Sequence, residues 1–264
     1  MKAEFTLLGT GASMGVPVIG CKCATCTSKN PKNKRLRTSA LIQVKGKNIL
    51  IDVGPDFRMQ ALRSQIDHLD GLILTHLHYD HIAGIDELRL FNIKQKTQIP
   101  CLLSKENLTE LNNRYKYIFA SIKPKDSLSV KFDYHVLEED SGMTNFLGLN
   151  LAFFSYFQGT MKVNGFRFGN LAYVTDIKKF DSSIFDYLNG VDTLVLSALR
   201  FESSPIHFNL DNAIEFAKKV GAKQTFLTHI AHEVEHAAAN RYLPENISCG
   251  YDGQKIHFEA NLSG

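Results

Sequence analysis

Between His76 and His81 the chain reads HLHYDH, three histidines and an aspartate in six positions, directly after the apolar run GLILT. Imidazole and carboxylate are donors that borderline divalent ions such as Zn²⁺, Mn²⁺ or Fe²⁺ accept, and a loop can turn residues of this spacing toward two adjacent ions. An HxHxDH arises by chance in roughly one in a thousand sequences of this composition, so metal binding outweighs a set of structural histidines. The same strand-then-donor layout recurs at Tyr173-Val174-Thr175-Asp176 and Phe226-Leu227-Thr228-His229. Singly, each is an ordinary strand end. Together with His76–His81 they supply the carboxylate and imidazole a second ion needs. Two ions roughly 3.5 to 4 Å apart would acidify a shared water, bind a phosphate oxygen and align hydroxide for in-line attack, chemistry that suits a phosphodiester.

A second cluster carries thiols. Cys21, Cys23 and Cys26 are one ligand short of the tetrahedral set that closes a structural zinc site, whereas Cys101 and Cys249 stand singly in apolar surroundings and read as buried small hydrophobes. This usage fits a reducing compartment better than a disulfide framework. His232-Glu233-Val234-Glu235-His236 spells HExxH, the zinc-protease signature. Pro244 and the Tyr251-Asp252-Gly253 turn leave little room for the supporting helix and third ligand, so the protease reading carries little weight. The basic run Lys32, Lys34, Arg35 and Arg37 reads as a solvated loop more readily than as a funnel for anions.

These donors need strands to carry them. Alternation predicts an opening strand, a hairpin of Ser39–Val44 with Asn48–Val53, and strands at Gly71–Thr75, Ile99–Leu103, Leu149–Phe157, Gly165–Phe168, Asn170–Thr175, Asp192–Ser197 and Thr225–Thr228. Helical spacing follows Gly54-Pro55, recurs at Ile85–Phe91 and Glu106–Tyr117, and runs over Asn209–Val220 with cap residues at both ends. The stretch from Ser121 to Asn150 gives no clear pattern. At 264 residues, 44% hydrophobic and 22% charged, the composition excludes disordered and fibrous classes, and a net charge of +3 is too mild to imply nucleic acid or a membrane surface. No apolar run approaches the roughly 18 residues of a membrane span. The start, MKAEFTLLGTG, does not read as a signal peptide, so a cytoplasmic location is expected. Without repeats or linkers, one domain over residues 1–264 is the expectation.

HxHxDH followed by a later Asp and His resembles the metallo-β-lactamase superfamily. That resemblance implies an α/β (α+β) fold, an αββα sandwich of two mixed sheets flanked by helices, with two metals at its edge. GTGASMGVPVIGCKCATC, KRLRTSALI, IDVGPDFRMQAL, HFNL and LTHIAH are similar to the branch containing the phosphoribosyl cyclic phosphodiesterase of the carbon–phosphorus lyase pathway. These segments span most of the chain but leave about Gln95 to Asn150 poorly covered.

The resemblance makes His76 and His78 ligands of one ion, Asp80, His81 and His229 ligands of the other, and Asp176 the bridge. It places Asp80 and His207 in the catalytic set, His207 contacting substrate phosphate and protonating the leaving oxygen. It makes His232 the fourth ligand of a structural zinc with Cys21, Cys23 and Cys26. One position departs: where the family has a ligating His, this chain has Gln158, a neutral and weaker donor, so the first ion should be held less tightly or be missing.

The implied partner is a small phosphodiester resembling a cyclic ribose phosphate, with no membrane, and the branch is often dimeric. Two rivals remain. A tRNA 3′-processing endonuclease would need a protruding RNA-binding arm and more phosphate-contact charge. A metal-binding module without hydrolytic activity is suggested by Gln158.

Overall fold

The apolar runs ahead of each donor become strands, and the strands gather into two sheets of seven. The computed structural model describes residues 1–119 and 129–262. The first sheet takes β1 (Lys2–Gly9), β2 (Ser39–Val44), β3 (Lys47–Ile51), β4 (Gly71–Ile73), β5 (Ile99–Ser104) and β6 (Phe132–Leu137). The second takes β7 (Ser141–Phe146), β8 (Leu149–Gln158), β9 (Met161–Phe168), β10 (Leu171–Val174), β11 (Thr193–Ser197), β12 (Gln224–Thr228) and β13 (Ile247–Cys249). The chain then returns to the first sheet as β14 (Lys255–Glu259), giving the orders β14-β1-β2-β3-β4-β5-β6 and β13-β12-β11-β10-β9-β8-β7.

Each sheet changes character at its middle strand. β3 is antiparallel to β2 and parallel to β4, and β10 is antiparallel to β9 and parallel to β11. Beyond the carboxyl ends of such parallel strands lies the crevice where α/β sheets seat ligands.

Three apolar layers make this an αββα sandwich. Phe5, Ile42, Ile49 and Ile51 of the first sheet meet Phe153, Phe166, Leu171 and Tyr173 of the second, with the Phe5 and Tyr173 rings 5.6 Å apart. The outer face of the first sheet, with Leu41, Leu50 and Leu72, packs on Phe57, Ile82, Leu88 and Leu111. The outer face of the second, with Val174, Leu194 and Leu196, packs on Ile184, Ala213 and Phe216. Buried on both faces, the central strands must be apolar at successive positions, which is why GLILT and LVLS read as continuous runs.

The helix Leu210–Val220 has the caps its sequence suggests: Asn209 accepts from the Asn212 N–H, and Gly221 closes the helix at φ +72°. Elsewhere the chain departs from expectation. The helix expected over Glu106–Tyr117 starts at Lys105, because the Ser104 hydroxyl caps Asn107 N–H, and breaks at Tyr115 into Lys105–Arg114 and Lys116–Phe119. The unreadable stretch after Ser121 includes β6 and β7 among its described residues. β7 joins β8 through Leu147 and Gly148, both at positive φ, as a tight type I′ hairpin requires.

Candidate metal centre

His76–His81 follows β4, Asp176 follows β10, His229 follows β12, His207 lies after β11, and Gln158 ends β8. The two sheets therefore each deliver part of one buried cluster. Asp176 and His229 leave their strands at φ +57°, and Asp52, next after β3, does so at φ +58°. Non-glycine residues rarely hold this backbone, and they keep it where surrounding contacts fix them in place.

His81 sits at the centre with no exposure. Its Nδ1 lies 2.7 Å from Asp52 Oδ2, and its Nε2 lies 3.2 Å from Asp176 Oδ2 and 3.6 Å from Asp80 Oδ2. His229 Nε2 is 3.3 Å from Asp80 Oδ2 and 3.2 Å from Asp176 Oδ1. His76 Nε2 is 3.0 Å from His78 Nδ1. Donors bonded to one ion at about 2.1 Å stand about 3.0 to 3.4 Å apart, so most of these separations match the edges of a coordination polyhedron. Only the Asp52–His81 contact is as short as a charge-assisted hydrogen bond.

Ligand atoms of His76, His81 and Asp176, of Asp80, His81 and His229, and of Asp176, His207 and His229 fall within 4.8 Å of one another. His81 Nε2, His207 Nδ1 and His229 Nδ1 are buried without a hydrogen-bond partner. Two carboxylates, several imidazoles and unanswered ring nitrogens form a donor set that fits divalent cations.

The electrostatics agree. Burial opposes ionisation of Asp176, yet His229 and His81 hold its carboxyl well below the usual range. Burial likewise opposes Asp80, and His81 and His229 again prevail. Burial works against charge on His81, but Asp176, Asp80 and Asp52 push its pKa well above the ordinary value, and His229 is raised against burial by Asp176 and Asp80. Protons on these rings balance the carboxylates as a cation would. Burial, reinforced by His81, keeps His76 neutral and able to ligate.

Sequence reasoning overlooked Asp52, although it stands in the quoted IDVGPD segment. It accepts from Thr75 N–H at 2.8 Å and from Thr75 Oγ1–H at 2.7 Å, while Thr75 Oγ1 lies 3.0 Å from His76 Nδ1. One buried carboxylate thus orients His81 directly and His76 through a hydroxyl, turning Nε2 of both rings toward the cluster. The available signal was an Asp closing an apolar strand, the same layout that marked Asp176.

Gln158 is buried, and its Nε2 lies 2.9 Å from His207 Nε2. His207 Nδ1 points at Asp176 Oδ1, 3.5 Å away, and the ring stacks on His229 with centroids 4.9 Å apart. Burial lowers the His207 pKa to about 4. Both of its nitrogens face protein groups, whereas protonating a leaving oxygen calls for one that faces substrate.

The thiol cluster assembles as a separate site. His232 Nδ1 lies 3.5 Å from Cys21 Sγ and 3.4 Å from Cys23 Sγ, close to the roughly 3.5 Å edge of a zinc tetrahedron with N and S ligands. Cys26 completes the set of four. Hydrogen bonds from His232 and the Cys26 N–H bring the Cys23 thiol down to about 6, while burial pushes Cys26 up to about 11.

The HExxH pentapeptide is not one helical turn. Its helix begins at His236, capped by Glu235, so His232 and His236 diverge; His236 Nδ1 lies 3.2 Å from Arg35 Nη2. The basic run is solvated only in part: Lys32 and Lys34 are exposed, but each has a protein partner, and Arg35 is buried. Arg35 is 2% exposed and donates to Thr10 Oγ1 and Gly250 O, Lys34 donates to Cys26 O, Arg37 pairs with Asp56, and Lys32 sits over the Tyr251 ring.

A family model described as a β-lactamase superfamily domain matches residues 47–230. A solved structure described as a new diphosphatase from the PhnP family is 37% identical to this chain, with a TM-score of 0.91 and 99% of each chain covered. An octanoyltransferase of Porphyromonas gingivalis is 33% identical over 251 residues, 94% of this chain but 50% of the relative, so this chain spans about half that protein's length. A ribonuclease Z of Bradyrhizobium diazoefficiens is 36% identical over 85 residues, 31% of this chain and 23% of that one.

Proposed function

The chain belongs to the β-lactamase superfamily, in the PhnP-like branch of its metal-dependent hydrolases, and on that premise we propose that it hydrolyses a small phosphodiester of the cyclic ribose phosphate kind. The observation that carries this reading is the convergence of Asp80 and Asp176 with three imidazoles at ligand-edge separations in one buried cluster.

His76 and His78 with Asp176 would hold one ion, Asp80, His81 and His229 with Asp176 the other, and Cys21, Cys23, Cys26 and His232 a structural zinc. Zn²⁺ or Mn²⁺, with Fe²⁺ as a further candidate, suits the His/Asp set. When bound, such ions supply Lewis acidity toward a phosphate oxygen and acidify water. The chain's own residues do the rest. Asp80, kept anionic by His81 and His229, orients the attacking water. Asp52 fixes the rings of His81 and His76, so the donors are in place before substrate arrives.

Several observations support a small substrate. Net charge is +3, and the described residues between Gln95 and Asn150 form sandwich strands and helices rather than an arm. Among the described residues no helix is long and apolar enough to cross a membrane. The thiol cluster supports a reducing compartment such as the cytoplasm. A second reading, cleavage of a phosphoanhydride, is favoured by the relative described as a diphosphatase.

The test is hydrolysis by metal-loaded protein of bis(p-nitrophenyl) phosphate, a 1,2-cyclic ribose phosphate, a dinucleoside diphosphate and a tRNA precursor. Turnover of the cyclic phosphate in preference to the others is expected. Preference for the diphosphate selects the second reading, preference for the precursor selects the nuclease, and inactivity on all four with metal bound leaves a binding module.

A further inference from the structure

We infer that His207 is itself a metal ligand in this chain, sharing an ion with Asp176 and His229, and that Gln158 is the positioning residue that turns its Nδ1 inward. The inference rests on the proposal above that the His/Asp cluster binds divalent ions.

Three observations converge on one ring. His207 Nε2 is engaged by the side-chain amide of Gln158 at 2.9 Å, so only Nδ1 faces the cluster. That Nδ1 is buried, has no hydrogen-bond partner, and lies 3.5 Å from Asp176 Oδ1, a separation expected of two ligands on one ion. Asp176, His207 and His229 offer ligand atoms within 4.8 Å of one another, with the His207 ring held against His229 at 4.9 Å and 25°.

The amide explains the rest. Gln158 Oε1 is also buried without a partner, and an amide can present either oxygen or nitrogen to a neighbour. With Oε1 toward His207, the ring donates its Nε2–H to that oxygen, the orphaned Oε1 is answered, and the lone pair moves to Nδ1. A bare Nδ1 and a carboxylate oxygen are both acceptors. Two buried acceptors facing each other across 3.5 Å need a cation between them. Gln158 therefore acts on the metal through His207. The position remains part of the metal site though its own side chain ligates weakly.

The test is metal affinity, read by competition with a chromogenic chelator, and the visible spectrum of the Co²⁺-loaded protein, for wild type, His207→Gln, Gln158→Met and the double variant Gln158→His/His207→Gln. Thermal unfolding checks that each is folded. His207→Gln should weaken one site at least tenfold and shift the cobalt spectrum. Gln158→Met, which keeps the bulk but no acceptor for Nε2–H, should weaken it about 10- to 100-fold, the usual cost of losing a group that orients a ligand. The double variant should stay as weak at that site as His207→Gln, since an imidazole at position 158 serves the ion of His76 and His78 rather than that of His229.

An independent readout uses wild-type protein alone. Hyperfine-shifted imidazole N–H signals of the cobalt form should include one from His207 alongside those of His76, His78, His81 and His229. The inference is overturned if His207→Gln leaves affinity and spectrum unchanged, or if no such signal belongs to His207. If a variant does not fold, the wild-type proton spectrum decides. Wild type that binds no metal at all overturns the functional proposal and this inference with it; wild type that binds two ions without help from His207 overturns this inference alone.

Discussion

Asp52 and Asp176 occupy corresponding places in the two sheets, each following the strand where pairing turns from antiparallel to parallel, each at positive φ, and they hold the two nitrogens of His81 from opposite sides. Each also accepts a threonine hydroxyl at 2.7 Å, Asp52 from Thr75 and Asp176 from Thr175. Only Asp176 faces the cluster, so one copy of the motif offers a ligand oxygen and the other orients a ring.

Replacing Asp52 by Asn should therefore weaken metal binding about 10- to 100-fold without removing a ligand. An amide nitrogen cannot accept from His81 Nδ1–H, and the Thr75 relay to His76 loses its anchor. Chelator competition measures the change; unaltered affinity in a folded variant would refute the orienting role.

Stripped of metal at pH 7, the protein should be alkylated by iodoacetamide at Cys23 well before Cys26. The first thiol sits at about 6 through its contacts with His232 and the Cys26 N–H, and the second is held near 11 by burial. Peptide mapping by mass gives the order, and equal labelling of the two would contradict it.

His236 sets a pH dependence with a definite sign. Burial, with help from Arg35 and Lys32, lowers its pKa from 6.5 to about 4 in the fold. Between those values the unfolded chain binds a proton that the folded chain does not, so stability drops as pH falls from about 6.5 to about 4 and levels off below. His236→Asn should flatten that part of the curve of denaturation midpoint against pH. An identical slope in the variant would assign the effect elsewhere.

Arg35→Met should cost roughly 3 kcal/mol or more, because it removes charged hydrogen bonds from a guanidinium with almost no exposure and strands the groups it served. Thermal unfolding should show a drop of about 6 to 12 °C. A loss below about 1 kcal/mol would mean that water replaces the guanidinium.

The cluster was legible where donors crowd along the chain and faint where they are dispersed. THLHYDH announced itself within one loop, whereas Asp176 and His229 gained meaning only from sharing a strand-then-donor layout with it. Asp52 shares that layout, yet its partners lie 23 and 29 residues away, so its contacts have no local signature. Arg35 misled for a similar reason: a basic run looks solvated until Gly250 and His236, more than 200 residues distant, close over it. Central strands showed as unbroken apolar runs. β7, half exposed at the sheet edge with SGMTNF, offered neither a run nor clean alternation, and the three-residue β13 was too short for any period to register.

Neither half of the chain owns the metal centre. His76, His78, Asp80 and His81 arrive with the first sheet, Asp176, His207 and His229 with the second, so a cation bridging them rivets one layer to the other. A nascent polypeptide lacks the binding pocket until His229 has emerged and the layers have closed. A cation held there would favour the closed arrangement over the open one, so its supply would govern how long the finished sandwich stays shut.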